Sequence, residues 1–273
     1  MSYQFHQIGR IRNKYGVFLT KQPVFIYQMG KVGSTAIEES LRAAGVPVQH
    51  LHSIGGDLTD QFRLRKSGRS LTARGRRKIE GVLQGILLRI PNRRLKVITL
   101  VRDPLGRNIS AFFQVLRKIL WDNPQFDSRS DEGDCHLLID AFNRQMQHEL
   151  PGFWFDREIR HRLGIDVFQH PFDRERGFML ISRGHIDLMI IRAEDLDQCE
   201  SAIGDFVGRP GLRLFKANCG VKKWYAPLYK NFLEHFSPDI ALLDQLYDSR
   251  YVRHFYTPEE IAEFRNSWLA PAR

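Results

Sequence analysis

Little in this chain points to secretion or to a membrane. It has only three cysteines in 273 residues, Cys135, Cys199 and Cys219, widely spaced and odd in number. They form no CxxC pair and no metal-ligand pattern, which argues against a disulfide framework or a structural zinc site. A reducing compartment is the simplest expectation. No stretch approaches the roughly 18 uninterrupted apolar residues of a membrane span. The opening segment, MSYQFHQIGRIRNKYG, is polar and basic and lacks the apolar centre of a secretory signal. A soluble, cytoplasmic protein is therefore expected. Internal repeats and low-complexity tracts are missing as well. The ten histidines include no HExxH pair, and no GK[ST] tripeptide occurs. No metal cofactor is expected, and the nucleoside-triphosphatase loop is excluded.

What is present is a basic chain of globular composition. With 42% hydrophobic and 26% charged residues it suits one large α/β domain over 1–273, largely helical from about residue 224. The formal charge of +10 favours anionic partners: nucleic acid, anionic lipid, acidic polysaccharide or a polyphosphorylated nucleotide. No zinc finger or RNP motif supports nucleic acid. Basic residues cluster between Arg63 and Lys78, either as a solvated face or as a rim that attracts an acidic acceptor.

Apolar patterning predicts alternating strands and helices. PVFIYQM (Pro23–Met29) reads as a buried strand, followed by GKVGST and a helix that stops at Gly45. Val46–Leu51 is a second strand, and 71–90 has helical periodicity up to Pro91. LKVITLV (Leu95–Val101) is continuously apolar, as in a parallel sheet, and Pro104 sits at a helix start. Residues 121–132 read as a loop, and Cys135–Leu150 and Gly152–Leu163 as helices. Gly177–Ser182 and Ile186–Arg192 are strands around an Arg183-Gly184 turn, and Glu194–Val207 is a helix. The helical tail is interrupted by a loop around Ser249–Thr257. The pattern predicts a parallel β-sheet flanked by helices, built from βαβ units.

Two strand ends carry chemistry. In Gln28-Met29-Gly30-Lys31-Val32-Gly33-Ser34-Thr35 the glycines allow a tight turn that aims backbone N–H groups at an anion. The following helix adds its N-terminal N–H groups, Lys31 a full charge, and Ser34 and Thr35 hydroxyl donors. Lys31 precedes Gly33, unlike the lysine of a kinase-type loop, so an ATP-dependent kinase is the weaker reading. After the next parallel strand come Arg102-Asp103-Pro104, Arg107 and Ser110. Arg102 is placed at the carboxyl end of its strand, the ligand edge of open α/β sheets.

Together these segments resemble the signatures of the sulfotransferase superfamily that uses 3′-phosphoadenosine-5′-phosphosulfate (PAPS). That resemblance implies a P-loop-like sulfotransferase fold. It implies that Lys31, Gly33, Ser34 and Thr35 hold the 5′-phosphosulfate, and that Arg102 and Ser110 hold the 3′-phosphate. Ile190-Ile191-Arg192-Ala193-Glu194-Asp195-Leu196 is similar to a later segment of the same superfamily, with Ala193 where Tyr is common. Lys222-Lys223-Trp224-Tyr225-Ala226 resembles the Asn-Lys-Trp-Tyr-Ser motif of a bacterial capsular polysaccharide synthesis family, with Lys-Trp-Tyr intact and Ala226 in place of Ser. By this resemblance Lys222 and Lys223 close over the nucleotide. Trp224 either stacks on adenine or belongs to the core.

The expected activity is transfer of a sulfuryl group from PAPS to an acceptor hydroxyl, with a saccharide or glycolipid favoured by the family name. Lys31 would stabilise the leaving phosphate. For the base, alternation places His50 and His52 on one strand face, with His52 nearer the ligand edge. Glu38 and Glu39 on the first helix are the competing bases. The rival readings are a non-catalytic binder of acidic glycans and, less favoured, a kinase.

Overall fold

Val24–Tyr27 is strand β1, and all four of its side chains are buried. A strand shielded on both faces has to be apolar along its whole length, which is why it reads as an unbroken run. The computed structural model describes residues 23–53, 94–122, 133–215 and 223–270. Within them β1 pairs in parallel with β2 (Val48–Leu51) on one side and with β3 (Leu95–Val101) on the other. β3 pairs in parallel with β5 (Ile186–Arg192), and β5 pairs antiparallel with the edge strand β4 (Phe178–Arg183). The order is β2-β1-β3-β5-β4, so the expected parallel sheet is mostly parallel, with the strand pair around the Arg183-Gly184 turn as its antiparallel edge. The antiparallel edge follows from the short link at Gly184, whose φ is 58°, because two residues can join only antiparallel neighbours.

Helix α1 (Ser34–Ala43) leads from β1 to β2, and Gly45 follows it in the left-handed conformation that commonly closes a helix. The chain enters β2 on one side of β1 and β3 on the other. Crevices at such a reversal, beyond the carboxyl ends of the strands, are where open α/β sheets hold ligands. The loop at 28–33 and Arg102 both lie at that crevice.

Helix α2 (Pro104–Gln114) begins as its sequence indicates. Asp103 accepts from the Gly106 N–H at 2.8 Å, and Pro104 takes the first position, where its missing N–H costs nothing. Other elements differ from expectation. Trp121 and Asp122 end helix α3 (Leu116–Asp122) and are not loop. Helix α4 (Gly133–Gln145) stops before Leu150, and α5 (Leu150–Trp154) starts anew with Pro151 in its first turn. A π-helical turn over Phe155–Arg160 then leads to α6 (His161–Leu163). The helix expected from Glu194 is a 3₁₀ turn at Ala193–Asp195 followed by α7 (Glu200–Val207); the Glu194 carboxylate accepts from the Asp103 N–H and that of Asp195 from Arg192.

The tail comprises α8 (Ala226–His235), α9 (Ile240–Tyr247), α10 (Arg250–Phe255) and α11 (Pro258–Leu269). The loop expected around Ser249–Thr257 is therefore mostly helix α10, capped by the Ser249 side chain on the Val252 N–H. The expected helix at 71–90, the basic cluster from Arg63 to Lys78, Lys222 and Cys219 lie outside the described residues. Cys135 and Cys199 are buried free thiols. Among the described residues no helix is long and apolar enough to cross a membrane.

Candidate anion-binding site

The loop after β1 takes a conformation that few sequences tolerate. Gly30, Lys31 and Gly33 all have positive φ, at 87°, 64° and 88°. Glycine adopts this region freely, whereas a left-handed lysine costs about 1–2 kcal/mol. Surrounding side chains hold it there. Gln28 accepts from the Gly30 N–H through Oε1 at 3.2 Å, and its Nε2 donates to Ser34 Oγ at 2.7 Å. Arg107, fully buried, donates from Nε to Gly30 O at 3.1 Å and from Nη2 to Met29 O at 3.0 Å. Arg102 donates from Nη1 to Lys31 O at 3.1 Å.

The site is cationic. Burial, reinforced by the neighbouring charges of Lys223 and Arg102, lowers the Lys31 ammonium to about 8. Burial lowers Arg107 to about 10, so it remains charged at neutral pH. Lys31, Arg102 and Lys223, which come from three separate segments, are thus brought together. Like charges gathered around a backbone loop favour an anion between them. Tyr229 on α8 is close enough to feel Arg102 and Lys223, although burial dominates and raises its phenol.

The other residues singled out from the sequence divide. Gly33 and Thr35 are exposed, whereas Ser34 is buried with its hydroxyl against Gln28. Ser110 is half-buried on α2, and among the described residues no hydrogen bond joins it to the cationic cluster. Trp224 is not a core residue: it is 49% exposed, with the Arg117 guanidinium 5.0 Å from its ring centre.

His50 and His52 share a face, as alternation requires, with ring centres 4.6 Å apart. The Gly30 contact fixes the orientation of the Gln28 amide, so its Nε2 donates to His50 Nε2 at 2.9 Å. His50 Nδ1 then carries the proton and donates to Glu38 Oε2 at 2.6 Å. Burial pushes the Glu38 carboxyl up, but Arg42 and His50 more than offset this and leave it below the usual range. Glu38 is thus committed to two cationic or donor partners, and Glu39 is exposed.

His52 packs beneath the loop, where a Cβ on Gly30 would meet its Nδ1 at 3.6 Å. Its Nδ1 contacts Gln28 O at 3.2 Å; a carbonyl only accepts, so Nε2 bears the lone pair. Burial, with the nearby His50 and Arg107, lowers the His52 imidazole to about 4, and the Gln28 carbonyl only partly opposes this. It is neutral at physiological pH. Trp154, at the entrance to the π-helical turn, donates to the His52 carbonyl at 3.3 Å.

Sequence reasoning missed the supports of Arg102. The Tyr251 hydroxyl both accepts from the Arg102 N–H and donates to its C=O, each at 2.9 Å. Tyr247 donates to Asp103, and Glu194 accepts from the Asp103 N–H at 2.8 Å and from Tyr256 at 3.0 Å. Arg192 is ion-paired with Asp195 and with Glu260, so the Arg192–Leu196 segment braces the site from β5. Tyrosines spaced along the tail were the available signal, since a buried phenol needs a partner for its hydroxyl.

Fold and site together define an α/β protein with a cationic loop at the ligand edge of a mostly parallel sheet. A family model described as "Putative capsular polysaccharide synthesis protein" matches residues 106–257, more than half of the chain, and the protein belongs to that family. The match takes in Ser110, Lys223 and the three tyrosines and begins after the loop, the His pair and Arg102. Comparison with curated proteins and with solved structures gave no match.

Proposed function

We propose that the protein is a PAPS-dependent sulfotransferase acting on an acceptor hydroxyl, with a saccharide as the acceptor class that the family name favours. One observation carries this reading: Lys31, Arg102 and Lys223 converge on a left-handed glycine loop at the reversal point of the sheet. A ligand with two separate anionic groups suits such a site, one group on the loop and one beside Arg102.

In this reading the loop, Lys31 and Thr35 hold the 5′-phosphosulfate, Arg102 and Ser110 hold the 3′-phosphate, and Lys223 covers the donor. The acceptor oxygen attacks sulfur in line. The new O–S bond forms as the bond from sulfur to the 5′-phosphate oxygen breaks, and protonated Lys31 stabilises the negative charge on that leaving oxygen. His52 Nε2, free to accept, takes the acceptor proton. The products are a sulfate ester and adenosine 3′,5′-bisphosphate.

Thermal unfolding with adenosine 3′,5′-bisphosphate, ATP, ADP and inorganic sulfate tests the donor assignment, because a ligand that binds only the folded state raises its stability. The bisphosphate should raise the midpoint most. A larger shift with ATP would favour a kinase. Stabilisation by acidic glycans, with none from the bisphosphate, would favour a non-catalytic binder.

A further inference from the structure

Arg107 lies outside the expected set of ligand residues, yet it makes more of the contacts that shape the loop than any residue in that set. It emerges from the first turn of α2, is wholly buried, and reaches back to Gly30 O and Met29 O. Its third nitrogen donates to Asn108 Oδ1 at 2.9 Å, and Asn108 Nδ2 donates to His148 O at 3.0 Å. The guanidinium plane is therefore fixed from both sides.

A trans peptide directs its C=O and N–H in opposite directions, and none of the described peptide bonds is cis. With Gly30 O drawn to Arg107, the Lys31 N–H points away from that guanidinium. With Lys31 O drawn to Arg102, the Val32 N–H likewise points away from it. No described residue accepts from either N–H. Val32 is buried and Lys31 half-buried, and two neighbouring N–H groups without an acceptor among the described residues are suited to an anion held on the loop.

We infer that Arg107 is a positioning residue: it grips the Met29 and Gly30 carbonyls so that the Lys31 and Val32 N–H groups face the anion bound by the loop. It does not itself touch the ligand. The inference rests on the donor assignment above and deepens it, since it makes 5′-phosphate recognition depend on a residue in the segment resembling the 3′-phosphate signature. Lysine at 107 keeps the charge but cannot grip two carbonyls in one plane.

The test compares adenosine 3′,5′-bisphosphate with adenosine 3′-monophosphate, which has no group for the loop. Arg107→Lys should weaken the bisphosphate by about tenfold, the equivalent of roughly one hydrogen bond, and leave the monophosphate unchanged. Equal weakening of both ligands, or no weakening of either, overturns the inference. If the wild-type protein ignores the bisphosphate, the donor assignment fails instead. Should Arg107→Lys not fold, amide hydrogen exchange on the wild-type protein decides the matter. The Lys31 and Val32 amides should exchange readily in the free protein and become protected when the bisphosphate binds. Protection already present in the free protein, or none gained on binding, would overturn the inference.

Discussion

The Arg102 guanidinium donates to the Lys31 carbonyl at 3.1 Å, joining two strand-end segments 71 residues apart. The contact makes the two halves of the proposed donor site interdependent. Arg102 helps to hold the lysine in its left-handed conformation, and in the proposed function it also presents charge to the donor.

That dual role separates Arg102 from Ser110. Ser110→Ala should weaken adenosine 3′,5′-bisphosphate but not adenosine 5′-monophosphate, with a loss of about 1.5–3 kcal/mol for a hydrogen bond to a charged group. Arg102→Ala should weaken both, because it also releases the Lys31 carbonyl. Calorimetric titration of the two nucleotides distinguishes the cases, and an Arg102 variant that weakens the bisphosphate alone would dissociate it from the loop.

Lys31 should give donor binding a pH dependence. Its ammonium is lowered to about 8, first by burial and then by Lys223 and Arg102, and a bound anion favours the charged form. Affinity should hold steady below pH 7 and decline as pH rises through 8, with proton uptake on binding in that range. Removing a like charge with Lys223→Ala should move the decline to higher pH. Affinity that stays flat from pH 7 to 9.5 would count against this role. Lys31→Ala should reduce sulfuryl transfer by about 10²–10³-fold or more, the scale seen when a transition-state charge stabiliser is lost.

His52 is the proposed base, and His52→Ala should lower kcat by roughly 10²–10⁴-fold with donor affinity nearly unchanged. Because its imidazole is lowered to about 4, the acidic limb of the pH–rate profile should lie near pH 4 and not near 6.5. An active His52→Ala beside an inactive Glu38→Gln would transfer the role to the Glu38–His50 pair.

The same burial predicts a stability effect. The unfolded chain protonates His52 below its ordinary value of 6.5, whereas the folded protein resists until about 4. Stability should therefore fall as pH drops from 6.5 towards 4. Urea unfolding of His52→Gln at pH 7 and pH 5 should show a smaller loss than the wild type, with the remainder due in part to the similarly lowered His148 and His254.

Tyr251→Phe removes the hydroxyl that joins both backbone groups of Arg102. Leaving a buried N–H without its partner should cost about 1–3 kcal/mol in denaturant unfolding. Bisphosphate affinity should fall as well. A fully stable variant with unchanged affinity would show that the tail does not support Arg102.

Much of the frame was legible in the chain. β3 and β5 coincide with their largely apolar runs because a strand between two layers buries both of its faces. Asp103-Pro104 marks a helix start by local capping chemistry alone. The Ser249–Thr257 segment reads as a loop because helix α10 spans only Arg250–Phe255, too short for periodicity to reveal, and is held by packing. The sequence does not place Trp224 in the core or at the surface, because hydrophobicity alone does not report exposure.

The sequence by itself determined the order of strands and helices, the glycines that let the loop turn, and the alternation that puts His50 and His52 on one face. These follow from local rules of backbone conformation and periodicity. Only the tertiary structure decided which distant groups meet: Arg107 on the loop carbonyls, Tyr251 on Arg102, Glu38 on His50, and Lys223 beside Lys31. The physical reason is that a hydrogen bond or a charge pair acts over a few ångströms of space. The distance in space between residues far apart in the chain is set by how the whole sheet and its helices pack.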